Sequence, residues 1–295
     1  MSSTLGEVPP THDFPTPGLP EGRAIELPGR GTSFVRAAPG PAGAPTLLLL
    51  HGWTANSAIN WFPAYEPLST DFNVVAIDHR GHGHGLRTWR PFQLEDCADD
   101  AVALLDELGL DQVIPVGYSM GGPIAQLLWR RHRERVAGLV LCATAPKFRE
   151  RRAEGLLTAA VAAVSGTLRV TPDTALDRLF DRFVSPRFEN TPLGQWVLEQ
   201  QRINDFHTIV EAGHAVATFD SREWVHEIGV PTSIVTTSLD TTVPPERQQL
   251  LVDAIAGAEV FAVTGPHDVC ATDPGAFIPA LLEACRSVAR RTGAH

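Results

Sequence analysis

The sequence predicts an α/β protein, with a mostly parallel central sheet, helices on both faces and an inserted helical segment. Short apolar runs alternate with helical patterns over most of the chain. The run Leu47–Leu50 is apolar at every position, as expected for a central strand that is covered on both faces. Residues 147–224 contain no clear strand pattern, and this stretch interrupts the alternation. Together these observations predict a layered core with one helical insertion.

A segment rich in proline and glycine, residues 1–22, opens the chain and predicts an irregular arm. The first two strands that follow can pair antiparallel, while the helices between later strands favour a parallel order with right-handed crossovers. Pro115 cannot donate a hydrogen bond to a neighbouring strand, so we expect a local bulge in the fifth strand. The eight predicted strands are Arg23–Leu27, Thr32–Ala37, Thr46–Leu50, Asn73–Ile77, Gln112–Val116, Gly138–Cys142, Thr232–Thr237 and Val260–Val263.

Helical periodicity occupies the intervals between the later strands and most of the insertion. A single crossover rarely needs so many helices, although ordinary crossover helices are the alternative. We therefore predict a core of residues 23–146 and 225–295, with residues 147–224 as a cap. The core helices are Leu94–Leu108, Pro123–Arg133, Glu246–Ala256 and Pro274–Ala289. The cap helices are Ala153–Val164, Thr174–Phe183, Leu193–Ile203 and Phe206–Thr218, with apolar surface from Phe180, Phe183, Trp196 and Phe206.

The composition excludes several classes of protein. The chain of 295 residues has a formal net charge of −10 and no lysine and arginine stripe, so we expect no nucleic-acid partner. No apolar stretch approaches the roughly 20 residues that span a bilayer, and the N-terminal residues lack a signal-peptide pattern. Four widely spaced cysteines favour reduced thiols over disulfides or a zinc site. We therefore expect a cytoplasmic protein.

The segment Gly117-Tyr118-Ser119-Met120-Gly121 matches the pattern G-x-S-x-G. It follows an apolar run and precedes a helical pattern, which is the setting in which such a segment forms a sharp turn that presents a serine. Glycines on either side avoid collisions with the adjacent strand and helix. A phosphate-binding loop would need a lysine after the glycines, and none follows here. The segment predicts a nucleophilic serine if partners for it exist elsewhere in the chain.

Four further segments make the chain resemble the α/β-hydrolase fold family, specifically its lipase-like and esterase-like members with a helical cap. HGWT follows the third predicted strand, DHRGHG the fourth, SLDTTVPP the seventh and GPHD the eighth. The order serine, aspartate, histidine is the one that this fold uses. The resemblance extends from about Thr32 to the C-terminus. It implies the α/β-hydrolase fold and a serine hydrolase without a cofactor.

The resemblance and the chemistry of acyl transfer together imply a catalytic triad. Ser119 would be the nucleophile and His267 its base, because imidazole titrates near neutral pH. Asp240 would stabilise the imidazolium, since the segment after the sixth strand, where some family members carry this acid, has no carboxylate. The backbone amides of Trp53 and Met120 would form the oxyanion hole.

The histidines of the DHRGHG segment have a structural interpretation. His79, His82 and His84 have a spacing that can hold zinc, but a site needs further ligands in a closed geometry. The resemblance instead implies a glycine-rich turn whose backbone is tied by Asp78 and Arg80. We therefore expect no metal.

Substrate contacts are predicted less directly. For His51, the alternative to a substrate contact is a structural hydrogen-bonding role beside the oxyanion loop. For Asn60 and Trp61, the alternative is packing in the core. The family often carries serine where this chain has Gly85, so any contact of that serine is absent. The candidate substrate-binding residues are His51, Asn60, Trp61, Tyr118, Trp196 and Phe206.

The predicted reaction is the hydrolysis of a carboxylic ester with an apolar group under the cap. A serine nucleophile excludes the dehalogenases and epoxide hydrolases of this fold, which use a carboxylate. A C–C bond hydrolase of a dienone acid is an alternative, and it would need an arginine such as Arg202 or Arg149 for the substrate carboxylate. A cofactor-free perhydrolase would use the same triad. A non-catalytic ligand receptor is a fourth possibility, because a fold does not fix function. The predicted partner is a small ester, and the sequence does not indicate the oligomeric state.

Overall fold

One eight-stranded sheet forms the centre of the molecule, whose computed structural model describes residues 18–149 and 191–293. The strands are β1 (Gly22–Leu27), β2 (Gly31–Ala38), β3 (Thr46–Leu50), β4 (Asn73–Ile77), β5 (Ile114–Tyr118), β6 (Leu139–Cys142), β7 (Thr232–Thr237) and β8 (Glu259–Val263). Their order across the sheet is β1-β2-β4-β3-β5-β6-β7-β8. Strand β2 is antiparallel to β1 and β4, and the other neighbouring pairs are parallel. The predicted sheet, with its antiparallel opening, is confirmed.

Helices connect the parallel strands in the described part of the chain. They are α1 (Ser57–Trp61), α2 (Tyr65–Ser69), α3 (Leu94–Glu107), α4 (Gly121–Arg131), α5 (Pro192–Arg202), α6 (Phe206–Thr218), α7 (Pro245–Ala254), α8 (Val269–Thr272) and α9 (Pro274–Thr292). The sequence pattern missed α1, α2 and α8, because helices of four or five residues are too short to establish a period. Two predicted cap helices, Ala153–Val164 and Thr174–Phe183, lie outside the described residues, together with Phe180, Phe183 and residues 1–17.

Strand β3 shows how the layers are built. Leu48 and Leu50 pack into a core that contains side chains of α3, α4 and α7. Leu47 and Leu49 point to the opposite face and pack with side chains of α1, α2 and α9. Because alternate side chains of a strand point to opposite faces, an all-apolar strand requires a cover on both. The predicted three-layer arrangement is confirmed.

The expected bulge at Pro115 is wrong. Strand β5 pairs with β3 without interruption, and Pro115 lies opposite Leu48 in that register. The irregularity lies on the other side, where Val113 bridges Val136 but Val116 pairs with Val140. The β6 side therefore has one extra residue between the two pairs. Strand β5, in which Pro115 has no amide hydrogen, therefore keeps its register with β3. The extra residue lies in the segment that leads into β6.

The two described helices of the insertion, α5 and α6, lie between β6 and β7 in the chain. Helix α5 contacts α1, and α6 contacts α3. The two ends of the insertion lie side by side, since Lys147 Nζ is 3.0 Å from Asp220 Oδ2 and the Ser221 amide donates to the Pro146 carbonyl. Separate core and cap units stay a prediction. Within residues 18–149 and 191–293, every helix is too short or too polar to cross a bilayer.

Candidate active site

Ser119 lies in a tight turn between β5 and α4. Its φ angle is 51°, a left-handed backbone that residues other than glycine rarely adopt. A Cβ at Gly121 would lie 2.0 Å from the Leu50 carbonyl oxygen, and one at Gly117 would lie 2.3 Å from the Gly121 carbonyl oxygen. The Ser119 amide donates to Cys142, and the Thr144 hydroxyl donates to the Ser119 carbonyl at 2.8 Å. The glycines and these bonds hold the serine in its strained conformation.

A series of hydrogen bonds links Ser119 to two distant residues. The Oγ of Ser119 lies 2.9 Å from Nε2 of His267, and Nδ1 of His267 lies 2.6 Å from Oδ2 of Asp240. An ionised carboxylate only accepts hydrogen bonds, so Nδ1 carries the proton and Nε2 is free to accept from Ser119. The Tyr118 hydroxyl donates to the His267 carbonyl at 2.6 Å and fixes the loop after β8. The structure thus brings the three predicted triad residues together.

Asp240 is buried and surrounded by donors. Its Oδ1 accepts from the amides of Thr242 and Val243, each at 2.8 Å, and its Oδ2 accepts from the Thr237 hydroxyl at 2.9 Å. Burial alone would raise the pKa of Asp240, but the bond from His267 and these donors outweigh it and lower that pKa. The carboxylate is therefore ionised at neutral pH.

Gln248 of α7 supports this carboxylate, and no sequence motif indicates this role. Its amide nitrogen donates to the Val243 carbonyl at 2.7 Å and to the Thr237 hydroxyl at 2.8 Å. Its amide oxygen accepts from the Thr237 amide. A fully buried glutamine with every bond satisfied fixes the turn that carries Asp240. Nothing in a helical pattern distinguishes such a residue from its exposed neighbour Gln249.

The predicted oxyanion residues flank the nucleophile. Met120 directly precedes α4, so its amide belongs to the positive end of that helix. The loop after β3, residues 52–56, is called the oxyanion loop below. A Cβ at Gly52 would lie 3.4 Å from that of Ser119, so this loop passes beside the serine. Within the described chain, the amides of Trp53 and Met120 have no hydrogen-bond acceptor. They can donate to a bound anion.

A cavity of about 500 Å³ opens above Ser119. Helix α5 forms one wall with Leu193, Gly194, Val197 and Gln201, so the insertion covers the site as far as the described residues form it. Asp268 is the only carboxylate among the described lining residues, and these include no lysine or arginine. The sequence did not indicate Leu193, Val197 or Cys270, because they reach the cavity from separate segments.

Of the candidate substrate contacts, Asn60 and Tyr118 line this cavity. The other four do not line it as the described residues form it, so His51 and Trp61 follow their structural and core-packing alternatives, and the contacts from Trp196 and Phe206 are corrected. Trp61 is fully buried, and its ring is perpendicular to that of Tyr118 with the ring centroids 6.1 Å apart. Trp196 packs against Phe62 with ring centroids 5.5 Å apart. Phe206 is the first residue of α6, and His51 belongs to a buried cluster.

That cluster consists of His51, His79 and His82 behind the oxyanion loop. The ring centroids of His51 and His79 are 4.3 Å apart, and Nε2 of His51 accepts from the His79 amide at 2.9 Å. Burial lowers the pKa of His51 to about 4 and that of His82 to about 3. These rings are neutral and structural at physiological pH. Among the described residues, no group of three or more potential ligands has the geometry of a metal site.

The turn that carries these histidines is anchored in two ways. Asp78 ties its backbone as predicted, since its carboxylate accepts from the amides of Ser57 and His84. The same prediction is wrong for Arg80, whose guanidinium forms two hydrogen bonds with Asp100 of α3 instead. A Cβ at Gly85 would lie 2.2 Å from the His79 carbonyl oxygen, so a serine does not fit there without a shift.

Known proteins resemble this chain in sequence and in fold. A family model described as the alpha/beta hydrolase fold matches residues 45–274. A pimeloyl-(acyl-carrier protein) methyl ester esterase of Vibrio vulnificus strain YJ016 is 29% identical over 244 residues, which cover 81% of this chain and 93% of the esterase. The AB hydrolase superfamily protein YisY of Bacillus subtilis strain 168 is 28% identical over 229 residues, covering 74% of this chain and 84% of YisY.

Solved structures share the fold. An esterase from Exiguobacterium antarcticum superposes with a TM-score of 0.74 at 22% identity, covering 90% of this chain and 100% of the esterase chain. An enol-lactonase from Burkholderia xenovorans LB400 gives a TM-score of 0.73 at 23% identity, covering 90% of this chain and 100% of the lactonase chain. At this identity the likeness establishes the fold.

Proposed function

Because the chain belongs to the α/β-hydrolase fold family, we propose that it is a serine hydrolase that cleaves carboxylic esters through an acyl-enzyme. The observation that carries this proposal is the hydrogen-bonded series from Ser119 through His267 to Asp240. A serine hydroxyl in such a series has a base within reach of its proton, and the base has a buried anion on its other nitrogen. Ser119 and His267 both line the cavity, so the hydroxyl and its base face the space that a substrate can enter.

Acylation begins with attack of the Ser119 oxygen on the ester carbonyl carbon. Nε2 of His267 takes the hydroxyl proton as the new C–O bond forms, and Asp240 stabilises the resulting imidazolium. The carbonyl oxygen becomes an oxyanion and accepts hydrogen bonds from the amides of Trp53 and Met120. One such donor contributes about 3–4 kcal/mol to transition-state stabilisation. The intermediate then collapses, the alcohol leaves, and His267 returns the proton to it.

Deacylation repeats these steps with water as the nucleophile. His267 takes a proton from water, which attacks the acyl carbon, and the second oxyanion occupies the same hole. The proton then returns to Ser119 and the carboxylic acid leaves. The lowered pKa of Asp240 supports this cycle, because a carboxylate that is ionised at neutral pH can stabilise the imidazolium that forms in both half-reactions. A perhydrolase activity would differ only in the nucleophile that takes the acyl group.

The substrate proposed is a neutral ester with an apolar group beside α5. Supporting this, the described lining residues carry one carboxylate and no cationic side chain that could pair with a substrate carboxylate. Arg202 is exposed at the end of α5, and neither it nor Arg149 lines the cavity in the described part of the chain. This weakens the alternative of a dienone-acid C–C hydrolase. The cap of residues 147–224 and the cytoplasmic location stay predictions.

A series of p-nitrophenyl esters with increasing acyl length tests the proposal, with Ser119→Ala as the control. We expect saturable hydrolysis of the uncharged esters by the wild type and a loss of at least about 10⁴-fold in kcat for the variant. Equal activity of Ser119→Ala would refute the nucleophile. Tight binding of the esters without turnover would favour a receptor, and faster cleavage of a dienone acid than of any ester would favour C–C hydrolysis.

A further inference from the structure

The oxyanion loop is held from two directions. From the core, the side-chain oxygen of Asn60 accepts from the Gly52 amide at 2.7 Å. From the insertion, the link between α5 and α6, together with α6 itself, binds two consecutive residues of the loop. These are Trp53 and Thr54, and the proposed oxyanion donor is the Trp53 amide itself. The contacts from the insertion therefore act next to that donor.

Asn204 makes the first of these contacts. It lies between α5 and α6, and its side-chain nitrogen donates to the Thr54 carbonyl at 2.8 Å. Its side-chain oxygen accepts from the Gly83 amide at 2.6 Å. One amide group thus joins the oxyanion loop to the glycine-rich turn after β4. Both partners are backbone groups, so the bonds fix the course of the chain.

Thr54 needs such support. Its φ angle is 64°, and a β-branched residue in this left-handed region is strained. A strained residue persists only where its surroundings hold it, and Asn204 binds the carbonyl of this residue directly. Without that bond, the backbone of Thr54 can relax, and relaxation rotates the peptides on either side of it. The neighbouring residue is Trp53.

Trp53 makes the second contact. Its side chain is 46% exposed, so burial in the core does not fix its position. Its indole nitrogen donates instead to the Ile209 carbonyl of α6 at 2.7 Å. The ring also lies against Gly213, where an added Cβ would be 2.6 Å from the ring carbon Cζ2. The insertion therefore holds both the side chain of Trp53 and the backbone of the next residue.

We propose that Asn204 is a positioning residue for ester hydrolysis, which orients the oxyanion donor of Trp53 by holding Thr54 from the insertion. This inference rests on the proposed function. Asn204 touches neither the substrate nor the reacting atoms, and its effect is on the oxyanion that forms in the transition state. Loss of its bond should lower kcat and leave KM nearly unchanged, because a misoriented oxyanion donor weakens transition-state binding selectively.

Asn204→Asp tests this with an isosteric side chain. The aspartate keeps an acceptor for the Gly83 amide but faces the Thr54 carbonyl with an oxygen, so only the bond to the oxyanion loop is lost. Asn73→Asp is the matched control. The Asn73 side chain has the same bond pattern, since its oxygen accepts from the Gly40 amide and its nitrogen donates to the Ala44 carbonyl, but it lies at the start of β4, at the opposite end of that strand from the site.

The measurements are kcat and KM on a p-nitrophenyl ester and the Ki of a trifluoromethyl ketone, whose hemiketal oxygen occupies the oxyanion hole. For Asn204→Asp we expect kcat to fall about 10- to 100-fold and Ki to rise by the same factor, with KM within about threefold. Asn73→Asp should keep kcat and Ki within about threefold of the wild type. A variant that merely folds poorly would lose kcat without a change of Ki, because the folded fraction binds the ketone normally.

Two results overturn the proposal: Asn204→Asp with kcat and Ki within threefold of the wild type, or a lower kcat with an unchanged Ki. If Asn204→Asp does not fold, Trp53→Phe tests the same attachment, since it loses the indole N–H that bonds to Ile209 and keeps the backbone amide. It should raise Ki about 10-fold, and an unchanged Ki would overturn the proposal. A wild type without ester hydrolysis that depends on Ser119 would show instead that the proposed function is wrong.

Discussion

The relay of Ser119, His267 and Asp240 and the oxyanion loop meet at one cavity, but they are held differently. The relay residues follow strands β5, β8 and β7 of the same sheet, and Asp240 is buried among donors from its own turn. The oxyanion loop follows β3 and is bound by both the core and the insertion. The difference implies that the residues of proton transfer are positioned by the core alone. Stabilisation of the oxyanion also depends on how the insertion packs against the oxyanion loop.

Replacement of Asp240 by asparagine should have the largest effect, and it tests the relay. The amide cannot stabilise the imidazolium and favours the wrong tautomer of His267, so we expect kcat to fall about 10⁴-fold with the fold intact. Asp253→Asn is the matched control, because this carboxylate is exposed on α7, where it accepts a hydrogen bond from the side chain of Gln249 at 2.9 Å. The kcat of ester hydrolysis and the temperature of thermal unfolding are measured for both variants. Equal kcat in the wild type and Asp240→Asn would contradict the relay.

Asn60→Ala tests how the core holds the oxyanion loop and should have the next largest effect. The alanine releases the Gly52 amide, which precedes the proposed donor of Trp53, so we expect a fall in kcat of about 10²-fold or less.

Asn73→Ala is its control. The Asn73 side chain likewise joins two backbone groups, the Gly40 amide and the Ala44 carbonyl, but it lies at the start of β4, away from the site. Both variants should lose similar stability in urea unfolding, and only Asn60→Ala should lose activity. A comparable loss of kcat in both would show that Asn60 acts through stability alone.

Acid should destabilise the protein through the cluster of His51, His79 and His82 behind the oxyanion loop. We expect this effect to be smaller than those of Asp240→Asn and Asn60→Ala. Burial lowers the pKa of His51 to about 4 and that of His82 to about 3, while both titrate near 6.5 in the unfolded chain. The unfolded state therefore binds more protons below pH 6.5. The stability that these neutral rings contribute is complete above that pH and is lost as the pH falls to about 4 for His51 and to about 3 for His82.

We expect the free energy of unfolding to decrease by about 1 kcal/mol per histidine between pH 7 and pH 5.5. Urea titrations at the two pH values measure this decrease. His82→Asn should make it smaller, because the asparagine can still donate to the Arg80 carbonyl and does not titrate. His226→Asn, at an exposed position, should leave it unchanged. Equal stability of the wild type at both pH values would contradict the account of the cluster.

The same contrast explains what the sequence could predict. Strands β3, β4 and β7 begin and end at the predicted residues, because apolar runs bounded by turn residues define them. Strand β5 extends two residues beyond its prediction, to Tyr118, since pairing with β6 carries it into the glycine-rich turn. The motif around Ser119 and the order of aspartate and histidine pointed to the relay because each residue follows a strand.

The oxyanion loop and the cavity wall were less predictable. Asn204 lies in a link between two helices, and no motif marks it. Its importance comes from the strained backbone of Thr54, which lies far from it in the sequence. Leu193 and Val197 form part of the wall only because α5 packs against α1. Trp61 was a candidate substrate contact in the sequence, but at the end of α1 its side chain is fully buried in the core. Such relations depend on tertiary packing.

Labelling with a fluorophosphonate, followed by peptide mass spectrometry, tests the central claim most directly. The reagent reacts only with a serine whose hydroxyl has an active base and an oxyanion site. We predict one phosphonyl group on Ser119 in the wild type, much slower labelling of His267→Ala, and none on the corresponding peptide of Ser119→Ala. A label on another residue, or an unlabelled Ser119 in a protein that hydrolyses esters, would contradict Ser119 as the nucleophile.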